Sequence, residues 1–192
     1  MAIKKLGTKL AIAISIGALN CQNAFAWSDP GHQIIAALAW SYMTPAAQAK
    51  AQSILAQDTD TLTQTDFVSR SVWADKYRDA GRPDGASYTG TREWHFVDIP
   101  LSTSGDKDFV ETQEEKICPI TDLKGGVASV GAPAQDCVVN KINQFAAELA
   151  DPKTSAAEQV FALKFLIHFV GDIHQPLHTS DNEDHGGNCV WV

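Results

Sequence analysis

Three histidines and one aspartate near the end of the chain form the pattern H-x-x-x-D-x-H-x-x-x-H, as His168, Asp172, His174 and His178. His168 and Asp172 are four residues apart, which places them on one face of a helix. Their neighbours are apolar (FLIHFVGDI), and a carboxylate in such surroundings is costly unless it is paired or bound to a metal. A simple core hydrogen bond between the two is the alternative. The pattern favours metal, with Pro176 ending the helix so that His178 approaches from a loop.

Three other segments contain groups that suit zinc. His32 follows Trp27 closely, and a free amino group on Trp27, with a pKa of ~7.7–8.0, could serve as a ligand. Asp75 and Arg78 put a carboxylate and a guanidinium on adjacent turns, and His95 begins a short extended piece. Each has an ordinary alternative, such as a solvated histidine or a surface ion pair. Together they supply the nitrogen and carboxylate donors that zinc prefers.

The first 26 residues have the features of a secretory signal peptide. Lys4, Lys5 and Lys9 precede an apolar stretch at 10–19, and an A-x-A sequence ends at Ala26. The apolar stretch is shorter than the ~18–20 residues that span a bilayer. We therefore expect cleavage after Ala26, a secreted or periplasmic protein, and no membrane anchor after cleavage.

Composition indicates one globular domain over residues 27–192. The 192 residues are 44% apolar, which is enough for a hydrophobic core. Fifteen Lys and Arg against 23 Asp and Glu give a net charge of −8, which argues against nucleic-acid binding through a basic surface. It does not argue against an enzyme that meets phosphates through metal ions, because the count omits the charge of the metal.

Cysteines give a weaker signal. Cys118 and Cys137 bracket a glycine-rich stretch, and export permits disulfide bonds, so a bridge between them would close that loop. Cys189 would then be left over.

Apolar residues recur at helical spacing along most of the chain, which predicts a mainly α fold: a compact helical domain with long surface loops and at most a small strand pair. Helices are predicted at residues 31–42, 45–57, 66–80, 138–150 and 155–174. The residues HFVDIP are predicted to be extended, and 101–136 to be a long surface excursion.

The first and last helices carry specific predictions. Ile34, Ile35, Leu38 and Tyr42 stand at helical spacing in the first helix. The last helix is apolar nearly all round, which predicts that it is central and buried.

Helix starts are predicted from capping residues. Thr44 with Pro45 is expected to start the second helix, and Thr154 to cap the last one.

Five segments occur in order along the chain: WSDPGHQIIA, VWADKYR, WHFVDIP, HFVGDIHQPLH and GGN. Through them the chain resembles the zinc-dependent S1/P1 nuclease family, from Trp27 to its end. The resemblance implies a mainly α fold of the phospholipase C/P1 nuclease type, with three zinc ions in a cleft. It implies that one zinc is held by Asp75, His95, His168 and Asp172.

The resemblance also implies the two other zinc sites. The second would use the amino group and carbonyl of Trp27, together with His32 and a bridging Asp172. The third would use His178 and two ligands from a motif of the type N-L-H-x-x-W-D, which does not occur in these 192 residues. We therefore expect the domain to be incomplete at its C-terminus and the third site to lack two ligands.

Catalytic and substrate-binding roles follow from the same resemblance. Asp75, Arg78 and Asp172 would be catalytic, with Arg78 steadying charge on the phosphoryl oxygens. The substrate-binding residues would be Phe96, Asp98 and Asn188: Phe96 would stack on an unpaired base, Asn188 would bond its edge, and Asp98 has the alternative role of orienting a ligand histidine.

The implied function is an exported, monomeric zinc phosphodiesterase that cleaves single-stranded DNA and RNA to 5′-nucleotides and removes phosphate from 3′-nucleotides. A zinc phospholipase C is one alternative, because that related class also uses an N-terminal Trp and three zinc ions. A truncated zinc-binding fragment without activity is another. On that account we expect the 192-residue polypeptide to be unstable or poorly active.

Overall fold

The computed structural model describes residues 29–80, 88–97, 99, 101 and 137–182. These ranges contain five α-helices: α1 (Asp29–Tyr42), α2 (Pro45–Leu55), α3 (Trp73–Asp79), α4 (Val138–Ala150) and α5 (Ala156–Asp172). They also contain three 3₁₀ helices: η1 (Ser69–Val72), η2 (Tyr88–His95) and η3 (Pro176–His178). The predicted mainly α fold is confirmed.

Helix α5 lies at the centre of this arrangement, as predicted. It packs against α1, α2, α3, α4 and η1. Phe165 and Phe169 are fully buried on it, and so is His168, while Asp172 is 1% exposed. A helix that is buried on most sides can hold polar side chains away from water, provided that other groups satisfy them.

Two clusters of buried apolar residues flank α5. The first is largely aromatic and lies between α3, α4, α5 and η2, with Trp73, Trp94, Phe145, Phe165 and Phe169. The second lies between α1, α2 and α5, and consists of Ala36, Ala51, Ile54, Leu55, Val160, Leu163 and Ile167. In the sequence, His168 stands between Ile167 of the second cluster and Phe169 of the first, and its fully buried ring lies 5.9 Å from the Phe169 ring.

The predicted helix α1 forms, but the face with Ile34, Leu38 and Tyr42 is not its buried face. Ile34, Leu38 and Tyr42 are 66%, 52% and 82% exposed, while His32 and Ala36 are buried. Residues four positions apart share a helix face, and this holds for Ile34 with Leu38 as well as for His32 with Ala36. The structure turns the histidine face toward α5 because His32 finds a polar partner there, as described below.

Side-chain caps fix the starts of α2 and α5. The Thr44 hydroxyl accepts a hydrogen bond from the Ala47 amide at 3.2 Å, as predicted. The predicted cap at Thr154 is wrong by one residue, because Ser155 caps α5. Ser155 and Glu158 form a reciprocal capping box, which requires an acidic or amide side chain three residues after the cap.

The stretch 66–80 is divided between two elements rather than forming one α-helix. The 3₁₀ turn η1 leads directly into α3. Asp66 begins this region, with its carboxylate accepting from the Ser69 amide at 2.9 Å and its carbonyl from the Arg70 amide at 3.0 Å. The tighter winding of η1 was not visible in the apolar periodicity.

Val97, Ile99 and Leu101, after η2, form backbone hydrogen bonds with the chain after α5. The Val97 amide donates to the His178 carbonyl at 2.8 Å, and the Asp181 amide donates to the Ile99 carbonyl at 2.9 Å. The Leu101 amide donates to the Asp181 carbonyl at 2.8 Å. This pairing resembles the small strand pair that was predicted, although His95 belongs to η2 rather than to the extended piece.

Several sequence predictions concern residues outside the described ranges. Cys137 is buried immediately before α4, but Cys118 and Cys189 are not described, so the disulfide stays a prediction. The signal peptide and the predicted excursion up to residue 136 also lie outside these ranges, apart from Leu101.

None of the helices in the described ranges combines the length and the apolar character needed to cross a membrane.

Candidate metal centre

Four polar side chains from three elements converge beside α5. Asp75 comes from α3, His95 from the end of η2, and His168 and Asp172 from one face of α5. The Nδ1 atom of His95 lies 3.0 Å from Nε2 of His168 and 3.1 Å from Oδ2 of Asp172. The His168 Nε2 atom lies 3.2 Å from that same Asp172 oxygen. Thus two ring nitrogens and a carboxylate oxygen face one another.

Asp75 completes this group from the more exposed side. Its Oδ1 atom lies 3.7 Å from Nδ1 of His95 and 3.6 Å from Nε2 of His168. A tetrahedral zinc ion with bonds of ~2.0–2.2 Å holds its ligand atoms roughly 3.3–3.6 Å apart. The measured spacings lie close to that range, and two nitrogens with two carboxylates are a donor set that zinc accepts. These residues therefore fit a zinc ion.

Asp172 connects this group to α1 through its second oxygen. Its Oδ1 atom lies 2.9 Å from Nε2 of His32, while Oδ2 faces His95 and His168. The His32 ring stacks on the His168 ring with centroids 4.1 Å apart and planes 6° apart. His32, Asp75 and His168 form a second group of ligand atoms within 4.8 Å of one another. A carboxylate placed in this way can bridge two metal positions.

Gly171 makes the close approach of α1 possible. A Cβ atom at this position would lie 2.7 Å from Cδ2 of the His32 ring, closer than real Cβ contacts. The absence of a side chain therefore allows His32 to reach Asp172.

Gly171→Ala is expected to lower the free energy of unfolding by about 1–3 kcal/mol, the usual cost of overpacking. This would occur although alanine is intrinsically the better helix former. Chemical denaturation would measure it. In the background of His32→Ala the same substitution should instead be neutral or stabilising, because the ring that it meets is gone. An equal loss of stability in both backgrounds would contradict the proposed clash.

A backbone carbonyl orients His168. The Ser71 carbonyl of η1 lies 2.6 Å from Nδ1 of His168. Because a carbonyl only accepts, Nδ1 carries the proton and donates. Nε2 is thereby directed toward Asp172 and His95, which is the arrangement found in metal sites where a second partner fixes the histidine tautomer.

Burial and neighbouring charges have opposite effects on the pKa values of His168 and Asp172. Burial disfavours the charged forms of both groups, but the Asp172 carboxylate raises the pKa of His168 to about 9. His168, together with hydrogen bonds from His32 and His95, holds the pKa of Asp172 well below its usual value. In the protein without metal, Asp172 is therefore a carboxylate and His168 is an imidazolium. A metal ion at this position would displace the proton on Nε2.

The pKa values of His95 and Asp75 are both lowered, but for different reasons. Burial lowers the pKa of His95 below its ordinary value, although Asp172 opposes the change. Burial tends to raise the pKa of Asp75, but the charges of His168, His95 and Arg78 outweigh it and lower that pKa. Near neutral pH the group thus presents a neutral His95 ring and two carboxylates.

The metal-free protein is expected to lose stability as the pH rises from about 6.5 to about 9. The pKa of His168 is about 9 in the folded protein against 6.5 for the free group, so its contribution is complete below pH 6.5 and disappears as the pH passes 9. The loss would be on the order of 3 kcal/mol. Urea unfolding of chelator-treated protein at several pH values measures it. A flat profile, or an equal slope in a His168→Gln variant, would contradict this assignment.

The remaining predicted site residues lie around this group or outside the described ranges. Arg78 contacts Asp75 at 2.8 Å and also forms a two-pronged contact with Asp79 at 2.8 and 3.1 Å. His178, on η3, is half-buried and belongs to neither group of close ligand atoms. It still interacts electrostatically with Asp172, Asp75, His32 and His168.

Phe96 follows His95 directly and is half-buried, and it belongs to neither of the two core clusters of the described chain. Trp27, Asp98 and Asn188 lie outside the described residues, so their predicted roles stay predictions.

Three groups beside the site were not found from the sequence. They are the Ser71 carbonyl, Gly171 and the buried Arg70. A backbone carbonyl has no sequence signal of its own. The glycine had a signal that could have been used, because a glycine next to a buried aspartate in an apolar helix indicates close approach by another element.

The structure thus defines a helical domain that gathers histidines and aspartates into a candidate multi-metal centre around one bridging carboxylate. A family model, S1/P1 nuclease, matches residues 27–192. The chain belongs to this family.

Individual relatives agree with the family. The chain is 28% identical over 173 residues to nuclease S1 of Aspergillus oryzae, covering 89% of this chain and 50% of the relative. It is 27% identical over 175 residues to endonuclease 2 of Arabidopsis thaliana, covering 88% and 51%, respectively. It is 28% identical over 170 residues to nuclease P1 of Penicillium citrinum, covering 86% and 52%. The chain spans about half the length of these curated relatives.

Proposed function

We propose that this chain carries the catalytic zinc centre of a phosphodiesterase that cleaves single-stranded DNA and RNA to 5′-nucleotides and removes phosphate from 3′-nucleotides. One observation carries the proposal. The Asp172 carboxylate contacts His32 with one oxygen, and His95 and His168 with the other. Such a carboxylate suits a pair of metal ions, a common arrangement in phosphodiester hydrolysis. The names of the relatives support the same reaction class.

The proposed ligands fall into three sets. One zinc would be held by Asp75, His95, His168 and Asp172. A second would be held by Trp27, His32 and Asp172. His178 would contribute to a third.

Zinc bound in this centre would supply Lewis-acid activation of water near neutral pH and of the phosphoryl oxygens. The chain's own residues do the rest. Asp172 and Asp75 stay ionised because their pKa values are lowered, so their negative charge favours the binding of cations. Arg78 lies at the exposed side of Asp75, with 26% of its side chain accessible. Its planar fork would bind a phosphate in exchange for the carboxylate of Asp79, which it contacts in this structure.

Selection of single strands is proposed to rest on base stacking. Phe96 lies next to His95, is half-buried and belongs to neither of the core clusters of the described residues. Stacking on an aromatic side chain requires an unpaired base and tolerates any sequence. Asp98 and Asn188 are proposed to complete the substrate-binding group.

The remaining proposals concern the setting of the protein. We propose that residues 1–26 are a signal peptide, that the protein is secreted or periplasmic, that Cys118 pairs with Cys137, and that the chain acts as a monomer.

The function is tested with processed protein, zinc and three substrates: single-stranded DNA, the duplex of the same sequence, and phosphatidylcholine vesicles. Zinc-dependent cleavage of the single strand to products with 5′-phosphates is expected, with little cleavage of the duplex. Phosphate release should occur from adenosine 3′-phosphate and not from the 5′-isomer. Hydrolysis of lipid alone would overturn the proposal in favour of a phospholipase, and zinc binding without any hydrolysis would favour a binding protein.

A further inference from the structure

A network of four charged side chains lies behind the candidate metal centre, on the side of α5 that faces η1. It consists of Asp58 and Asp60 in the loop after α2, Arg70 on η1 and Lys164 on α5. The side chains of Arg70, Lys164 and Asp58 are only 0%, 4% and 5% exposed, and that of Asp60 is 27% exposed. Two cations and two carboxylates balance each other inside the protein.

Arg70 ties the loop after α2 to η1. Its guanidinium contacts the Asp58 carboxylate at 2.8 Å and donates to the Asp60 carbonyl at 2.8 Å. It also donates to the Thr63 hydroxyl at 2.9 Å. A fork with several acceptors in fixed directions holds the backbone on both sides of the contact.

Lys164 ties the same carboxylate to α5. Its Nζ atom lies 3.0 Å from Oδ2 of Asp58, and 3.8 Å from the centre of the Trp73 ring. Burial lowers the pKa of Lys164, and the Asp58 carboxylate opposes that change. Lys164 is one turn before His168, so the network and the ligand histidine share one face of α5.

The network holds the residues on both sides of the carbonyl that orients His168. Arg70 directly precedes Ser71, whose carbonyl lies 2.6 Å from Nδ1 of His168. Trp73, under Lys164, begins the helix that carries Asp75. A shift of η1 would therefore move the Ser71 carbonyl and Asp75 together.

Stability alone is a poor explanation for these charges. A buried ion pair often contributes no more stability than apolar residues of the same volume would, because desolvation offsets the attraction. A fixed geometry is what the charged groups add here, since Arg70 and Lys164 donate to backbone and side-chain acceptors in the loop after α2.

We propose that Arg70, anchored by the Asp58 carboxylate that it shares with Lys164, is a positioning residue for the metal centre: it holds η1 so that the Ser71 carbonyl keeps Nε2 of His168 directed toward Asp172 and His95. This inference rests on the proposed zinc centre and extends it to residues that contact neither zinc nor substrate. Partners that orient a ligand histidine typically change metal affinity by about 10–100-fold when they are removed.

The test measures zinc affinity without substrate, by competition with a chromophoric chelator, on the full chain and two variants. Arg70→Lys keeps the charge but loses the fork, and is expected to weaken zinc binding by about 10-fold or more. Thr63→Val removes one acceptor of Arg70 and is expected to give a smaller loss of a few fold while leaving the fold intact. The visible absorption of bound Co²⁺ should change in both variants, because the ligand geometry changes.

Leu163→Ala is the matched control, because it lowers stability from the other core cluster on the same helix. Its zinc affinity should stay within about 3-fold of the parent's, because Leu163 is neither a proposed ligand nor a member of the charged network. Parent-like zinc affinity in the Arg70 and Thr63 variants would overturn the inference, and so would an equal loss in Leu163→Ala. Weakened zinc binding in the Arg70 variant of a protein that hydrolyses no nucleic acid would support the inference and overturn the proposed function.

Discussion

The Asp172→Asn variant is expected to stay folded but to lose the proposed zinc centre, and with it at least ~10³-fold of the proposed phosphodiesterase activity. The carboxylate is held ionised, with one oxygen 2.9 Å from His32 and the other 3.1 Å from His95. An amide has no charge, and its nitrogen offers protons where a metal needs lone pairs. Loss of several kcal/mol of charge stabilisation corresponds to a factor of ~10³ or more in rate.

Three measurements separate the causes in this variant. Zinc content reports the centre, circular dichroism reports the fold, and hydrolysis of single-stranded DNA reports activity. Asp151→Asn is the matched control, because Asp151 is exposed beyond α4 and its hydrogen bond from the Lys153 amide can be kept by an asparagine. It should behave like the parent. Parent-like hydrolysis and zinc content in Asp172→Asn would remove Asp172 from the centre.

The central part of the candidate site could be predicted from the sequence because its information is local. His168 and Asp172 share a helix face through their spacing, and an aspartate among apolar residues requires a partner. The segments around His32, Asp75 and His95 added donors of the right type. What these patterns could not give was the distances, which depend on how α1, α3 and η2 pack on α5.

The features that escaped prediction depend on contacts between distant parts of the chain. The buried face of α1 is one example, since counting apolar residues cannot show that His32 contacts Asp172 across 140 positions. The pairing of Lys164 with Asp58 spans 106 positions and was likewise invisible. In an apolar helix Lys164 was an anomaly of the same kind as Asp172, and the structure explains both by a partner of opposite charge.

Phe165→Ala is expected to have the second large effect, a loss of about 3–5 kcal/mol in the free energy of unfolding. Phe165 is fully buried on α5 at the centre of the aromatic cluster. Its ring lies within 6.0 Å, between centroids, of the rings of Trp73, Tyr77, Trp94, Phe145, Phe161 and Phe169. Because these neighbours are held in place, they cannot fill the cavity left by the Phe165 ring. The cost of that cavity therefore adds to the loss of buried apolar surface.

Such a loss is a large part of the 5–15 kcal/mol that stabilises an ordinary domain, so the variant should melt at much lower temperature or fail to accumulate. Phe67→Ala is the matched control, because Phe67 is half-buried in the described chain and packs beside Trp40 at the edge of the second cluster. Phe67→Ala should lower the free energy of unfolding clearly less than Phe165→Ala does in the same denaturation experiment. Equal losses from the two variants would show that the aromatic cluster does not carry the stability of α5. In that case the helix that holds His168 and Asp172 must be fixed mainly by its polar contacts to α1, η1 and the loop after α2.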